Sequence, residues 1–375
     1  ILTVTAPNTS TDRTITLPDS TDTLIGAATT DALTTRINAT GGRKNLIING
    51  AMQVAQRGTS FANIGTSSLA YGLDRFGIRN ATDGAVTVTQ DTSVPNTEFL
   101  KSMKLDVTTA DSSIASGQVY SVQYKVEGQD LAQLGFGQSG TRYFTISFHH
   151  KHTKTGTHCI GVTNSAGNRS YTAEYTQSVA DTWEQAMIVI PVDTSGTWLT
   201  TNGVGAIIYF VVSAGSNFHG TADTWSADNT FATSNQVNNL DSTSNNFSLT
   251  GIQMEVGSVA TDFQHRSYGE ELALCQRYFS KNFPAVGALT ASNTIKCMFQ
   301  YPVEMRANPS IGVVSGSLTD AIGEVGIQKL DLVSYHTTHD GTTKGGEHSF
   351  NREAVGTNFN AAGIYANRVT FDAEL

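Results

Sequence analysis

Short stretches in which apolar and polar residues alternate recur through residues 45–265. KSMKLDV (101–107) places Met103, Leu105 and Val107 on one side of an extended backbone. VYSVQYKV (119–126) does the same with Tyr120, Val122, Tyr124 and Val126, and YFTISF (143–148) with Phe144, Ile146 and Phe148. Successive side chains on a strand point to opposite faces, so each stretch predicts a strand with one buried face. GAVTVT (84–89) alternates as well. Residues 186–192 and 204–213 are denser apolar runs, which predict central strands. In FSLTGIQMEV (247–256) the apolar face switches near Gly251, so a β-bulge is expected there. Strands at this frequency, with turn signals between them and almost no helix, predict an all-β fold with a β-sandwich over 45–265.

RSYGEELALCQRYFSK (266–281) carries the best helical pattern. Leu272, Cys275 and Phe279 fall on one face, and Glu270 and Glu271 sit near the start, where the helix dipole favours anions. Its length suits a bridge between domains. Residues 282–375 return to strands: Ile295, Cys297 and Phe299 alternate, and Tyr365, Val369 and Phe371 fit one face. They predict a small C-terminal β-domain, in which 334–352 reads as a polar loop rich in His and Gly. Residues 1–44 are rich in Thr and hold no dense apolar block. A segment this thin is either disordered or paired with copies of itself, and we read it as a narrow N-terminal neck in an oligomer.

Composition sharpens this picture. Only 15% of the 375 residues are charged, Gly is abundant at 35, and Pro is scarce at 7. The formal net charge of −9 argues against a general nucleic-acid binder, which needs clustered Lys and Arg. The apolar run VGAIIYFVVSA (204–214) is well short of the ~20 residues of a membrane span, so no membrane insertion is expected. The chain opens at Ile1 with no Met, basic stretch or signal core, a pattern expected of a fragment or processed product. Cys159, Cys275 and Cys297 are too few and too widely spaced for a disulfide framework or a Cys-based zinc motif.

GFGQSG (135–140) has dinucleotide-loop spacing, but TRYFTISF after it reads as a strand where that motif needs a helix, so a flexible turn is expected. In HHKHTKTGTH (149–158), His150 and His152 share one strand face and could join His158 on a transition metal. No carboxylate lies nearby in sequence, and we place these histidines on a solvent face. His336, His339 and His348 are read as part of a solvated loop. The Glu270–Glu271 pair is read as structural, and neither Gly-x-Ser-x-Gly nor His-Glu-x-x-His occurs. No catalytic residue, metal or cofactor is therefore assigned.

Several strings, taken in order, resemble bacteriophage tail-fibre and receptor-binding proteins. They are NLIINGAMQVAQRGTSF (45–61), YGLDRF (71–76), DTWEQAMIVIPVDTSGTW (181–198), TNGVGAIIYF (201–210), NFSLTGIQMEVGSVATDFQHRSYGEELALCQRYF (246–279), YPVEMRANPS (301–310) and the closing DAEL. RTITLPDSTDTLIG resembles fibre-shaft segments, and the central module is similar to carbohydrate-binding jelly rolls. The resemblance implies an extracellular virion protein: a homotrimer that joins other tail proteins through its N-terminal side and recognises a bacterial surface glycan without chemistry. A polysaccharide-cleaving tailspike and a structural virion decoration are the alternatives.

A glycan site needs aromatic faces together with amides and carboxylates for hydroxyls. Trp183 precedes a dense strand and is expected in the core. Trp198 and Trp225 lie in polar surroundings and are the stacking candidates, unless they plug the sandwich ends or pack between chains. Asp223, Asp228 and Asn229 flank Trp225 and could bind hydroxyls or a structural Ca²⁺. At the expected fibre tip, Tyr335, His336, His339 and Phe350 are the binding candidates, because recognition residues concentrate on loops of a rigid scaffold.

Overall fold

The structure, a computed structural model, describes residues 44–375 apart from 141, 292–293, 314–317, 324–325, 331, 339–342 and 353–361. The neck expected over 1–44 lies outside the described residues, save for Lys44. Through most of 282–368 the strands are described by their backbone pairing.

The first strands are β1 (Ser60–Ile64), β2 (Ser67–Tyr71), β3 (Phe76–Asn80), β4 (Ala85–Asp91), β5 (Ser102–Thr109) and β6 (Val119–Glu127). They continue as β7 (Tyr143–His152), β8 (Gly156–Asn164), β9 (Ser170–Gln177), β10 (Glu184–Pro191), β11 (Val204–Ala214), β12 (Thr224–Ser226) and β13 (Asn246–Val256). Antiparallel pairing builds two sheets, ordered β1-β4-β5-β13-β7-β10 and β12-β9-β8-β11-β6-β3-β2. Their inner faces meet in one core containing Met103, Leu105, Tyr120, Val122, Tyr124, Phe144, Ile146, Phe148 and Phe210. The protein is thus an all-β sandwich, and the alternating residues point inward as their spacing predicted.

The expected bulge is present. The β13–β7 register shifts between Thr250 and Gln253, and Gly251 adopts the left-handed φ of 63°. Phe247 and Leu249 face the core before it, and Ile252 and Met254 after it. GFGQSG forms a turn, with left-handed Gly135 and Gly137, ahead of β7.

Two local expectations fail here. β11 is central, but β10, covering most of the dense run 186–192, is an edge strand. Only its alternate residues Ala186 and Ile190 are buried, while Met187 and Val189 are 61% and 41% exposed. The histidines expected on a solvent face lie instead in the interior, with His150, His152 and His158 all buried. His150 and His152 have the same parity as Phe144, Ile146 and Phe148, so β7 carries them onto its core face. Gln177 Oε1 lies 3.0 Å from His150 Nδ1, and Tyr175 Oη lies 3.3 Å from His152 Nε2. His158 stacks on His152 with ring centroids 3.6 Å apart.

Helix α1 (Tyr268–Gln276) starts with a capping box, in which Ser267 and Glu270 satisfy each other's backbone N–H. It is shorter than predicted. Phe279, expected on its apolar face, opens β14 (Phe279–Ala291) and pairs with Asp372. The chain goes on as β15 (Thr294–Gln300), β16 (Ser310–Val313), β17 (Leu318–Gly323), β18 (Gly326–Leu330), β19 (Leu332–Thr338), β20 (Gly345–Arg352) and β21 (Ala362–Asp372). The third sheet is ordered β18-β17-β21-β14-β15-β20-β19, with β16 also on β21. Most of the stretch read as a loop, 334–352, thus lies in two paired strands, with Tyr335 opposite Phe350.

A buried polar junction ties both ends of the described chain to the sandwich. Arg75, itself in a left-handed turn at φ 72°, is ion-paired with Glu374. Its guanidinium donates to the Lys125 carbonyl at 2.7 Å and lies 3.4 Å from the Tyr278 ring centroid. Glu127 accepts from Tyr278 Oη at 2.5 Å and from Arg277 at 2.7 Å. Alongside, the Asn49 N–H donates to Glu271 at 2.6 Å, and the Asn49 amide donates to the carbonyls of Val54 and Asp74. Arg266 donates to the carbonyls of Asn45 and Ile47.

Two predictions follow from these buried groups. Glu374→Gln leaves Arg75 without its counter-charge and should cost about 3–5 kcal/mol, read as a lower urea midpoint. Burial pushes the His158 imidazole down to about 4 and holds His152 well below the ordinary range. Unfolded, both titrate near 6.5 and take up protons that the folded state refuses. The urea midpoint should therefore fall as pH drops from about 6.5 toward 4, and fall less steeply in His158→Gln.

Candidate functional site

The residues singled out from the sequence divide between two regions. Trp198 is 8% exposed, which corrects the expectation of an open ring. Its Nε1–H donates to the Ser195 carbonyl at 3.0 Å, and its ring centroid lies 4.1 Å from that of Phe136. Trp225 is half-buried edge-on to Trp198, and its Nε1–H donates to the Pro191 carbonyl at 2.6 Å. With Phe136 and Tyr171 these indoles form an aromatic plug against the sandwich core, the other arrangement the sequence allowed. Asp223, Asp228 and Asn229 are exposed around it. Burial, with the Asp223 carboxylate, pushes the Tyr171 phenol up to about 12. Trp183 is half-buried rather than core, with Lys151 Nζ 5.4 Å from its ring.

Tyr335 and His336 lie on β19 and Phe350 on β20, in the third sheet, whereas His339 is outside the described residues. Among the described residues, no three His, Cys, Asp or Glu side chains converge as a metal site.

The outer face of the first sheet carries a different constellation. A depression of about 350 Å³ lies over β7, β10 and the β13 bulge. Gly251 makes room for it: a Cβ there would sit 2.8 Å from both His149 Nδ1 and Phe99 Cζ. His149 has the opposite parity to His150, so it faces outward from β7. Phe99 comes from the loop before β5 and is only 2% exposed. Its ring centroid lies 5.2 Å from those of His149 and Phe263 and 5.5 Å from that of His265.

Two anchors hold the walls. Thr250 Oγ1 donates to the Lys101 carbonyl at 2.7 Å, fixing the Phe99 loop. Buried Glu255 accepts from the Thr261 N–H and hydroxyl, and the Gln264 N–H donates to Gln253, fixing the segment that bears Phe263 and His265. Asn96, Glu98, Gln185, Met187 and Asp262 complete an exposed rim. His149 Nδ1 is buried with no hydrogen-bond partner. Burial pulls the imidazole below its ordinary range, and the Glu98 carboxylate opposes that shift. The arrangement offers aromatic surface, amides, carboxylates and an imidazole to a polyhydroxylated ligand.

Sequence reading missed these residues because they come from four separate segments. One local signal was available: extending the β7 alternation through HHKH separates His149 from its buried neighbours. The second sheet carries a broader groove of about 630 Å³ lined by Arg79, Gln123, Lys125 and Tyr209. There the Lys125 ammonium contacts the Leu375 carbonyl and the Tyr209 ring is stacked on Phe231.

No protein-family model and no curated protein sequence matches the chain. Among solved structures it is similar to the enzymatically active domain of tailspike protein 4 of bacteriophage CBA120, at 15% identity and a TM-score of 0.30. That match covers 56% of this chain and 21% of the tailspike chain. It is also similar to a family 11 carbohydrate-binding module from Clostridium thermocellum in complex with a β-1,3-1,4-mixed-linked tetrasaccharide, at 11% identity and a TM-score of 0.27. That match covers 52% of this chain and 96% of the module. TmCBM61 in complex with β-1,4-galactotriose is 9% identical at a TM-score of 0.28, over 56% of this chain and 98% of that one. Likenesses this slight carry no argument for function. Among the described residues, no helix is long and apolar enough to cross a membrane.

Gly251→Val would force a β-branched residue into a left-handed φ and against His149 and Phe99. It should cost about 1–3 kcal/mol, seen as a lower melting temperature.

Proposed function

We propose that this protein recognises a glycan without chemistry, through the depression over the Gly251 bulge. The observation that carries the reading is its lining: Phe99, Phe263 and two imidazoles, with amides and carboxylates on the rim. Sugar rings present an apolar face and a ring of hydroxyls, and this surface offers partners for both. Glu98 and Asp262 are both exposed, whereas a carboxyl acting as general acid needs a site that keeps it protonated. Their setting favours binding over glycoside cleavage.

The ordered strings that resemble phage tail-fibre proteins support a role in host attachment, as an extracellular virion component. In that role the protein is a homotrimer, joined to other tail proteins through its N-terminal side. Three linked weak sites would then gain avidity through effective concentration. Asp223, Asp228 and Asn229, exposed beside Trp225, are a secondary contact surface in this reading.

Light scattering should give three times the chain mass, and labelled protein should bind host cells. The polysaccharide should not be shortened on incubation, since depolymerisation would favour the tailspike alternative. Gln185→Ala with His265→Ala, both on the exposed rim, should weaken cell binding at least tenfold while leaving the melting temperature within about 2 °C. Unchanged binding would remove the depression as the site.

A further inference from the structure

The charge of the depression narrows what it can accept. Glu98 and Asp262 both line it, and among the described residues no Lys or Arg does. Glu98 receives only a long hydrogen bond, 3.4 Å, from the Asn96 amide. Gln253 uses the Asp262 backbone carbonyl rather than its carboxylate. Both residues line the depression, and their carboxylates have acceptor capacity to spare. His149 does not offset them, because burial favours its neutral form.

We infer that the depression takes sugar units that are uncharged or carry an amine, and rejects units bearing carboxylate, sulfate or phosphate. This rests on the glycan reading of the same site. An acidic substituent would approach two exposed carboxylates of like charge, a repulsion that falls with added salt. An ammonium group would instead find charge-assisted acceptors there. Hydroxyls have the Asn96 and Gln185 amides, each able to donate and accept. Phe263, half-buried at the wall, offers ring surface to the apolar face of the sugar.

The test uses the full 375-residue chain on an array of bacterial surface glycans containing neutral, amino and acidic members. The glycans whose binding drops at least tenfold in the Gln185→Ala, His265→Ala double variant define the site's ligands. The expected set is neutral or amine-bearing. Glu98→Gln with Asp262→Asn should raise the ratio of acidic to neutral glycan binding at least fivefold. A set that depends on the rim residues but is predominantly acidic would overturn the inference and leave the glycan site standing. No bound glycan, or binding indifferent to the rim variants, would overturn the site reading and the inference together.

Discussion

One buried ion pair organises this molecule. Arg75 is fully enclosed, and its charge is answered by Glu374, a residue 299 positions later in the chain. A guanidinium taken out of water must have a counter-charge and hydrogen-bond acceptors, or the fold pays for an unsolvated cation. Here the acceptors are Glu374 and the Lys125 carbonyl, and the Tyr278 ring covers the cation. The terminal segment is thereby held against the sandwich, where Tyr71 also donates to the Leu375 carbonyl at 3.0 Å. Arg306 adds hydrogen bonds to the carbonyls of Ala373 and Glu374.

The strings quoted for the tail-fibre resemblance supply most of this junction. Asn45 and Asn49 come from the first, Arg75 from the second, Glu271 and Tyr278 from the string ending at 279, Arg306 from YPVEMRANPS, and Glu374 from the close. Asn49 turns the chain at φ 61° and satisfies the Val54 N–H and carbonyl with its own amide. Read singly, these motifs look like scattered polar residues. Folded, they hydrogen-bond one another, which explains why polar groups occupy a buried seam between the sandwich, α1 and β21.

The depression on the first sheet depends on a smaller irregularity. A regular β13 would carry a side chain at residue 251 into the space above His149. The bulge replaces it with a bare Cα and reverses the parity of the strand, so that Ile252 and Met254 still reach the core. Bulges commonly re-aim side chains next to functional sites. Here the bulge opens the floor on which Phe99, Phe263 and His265 converge.

How much of this the sequence carried follows from how far each property reaches. Strand faces are set by a two-residue period, so Met103, Leu105, Phe144 and Ile146 could be placed from their neighbours alone, and so could the parity switch at Gly251. The same period, continued past Phe148, would have sent His150 and His152 inward. Other properties have no local signature. β10 is as apolar as a central strand, and only the absence of a partner beyond it makes it an edge. Trp198 and Trp225 sit in polar sequence, yet their indoles close the sandwich because Phe136 and Tyr171 arrive from elsewhere. The all-β architecture and its inward faces were therefore determined by sequence alone. The edge strand, the aromatic plug and the depression were decided by tertiary structure, because each is made by pairing between segments far apart in the chain.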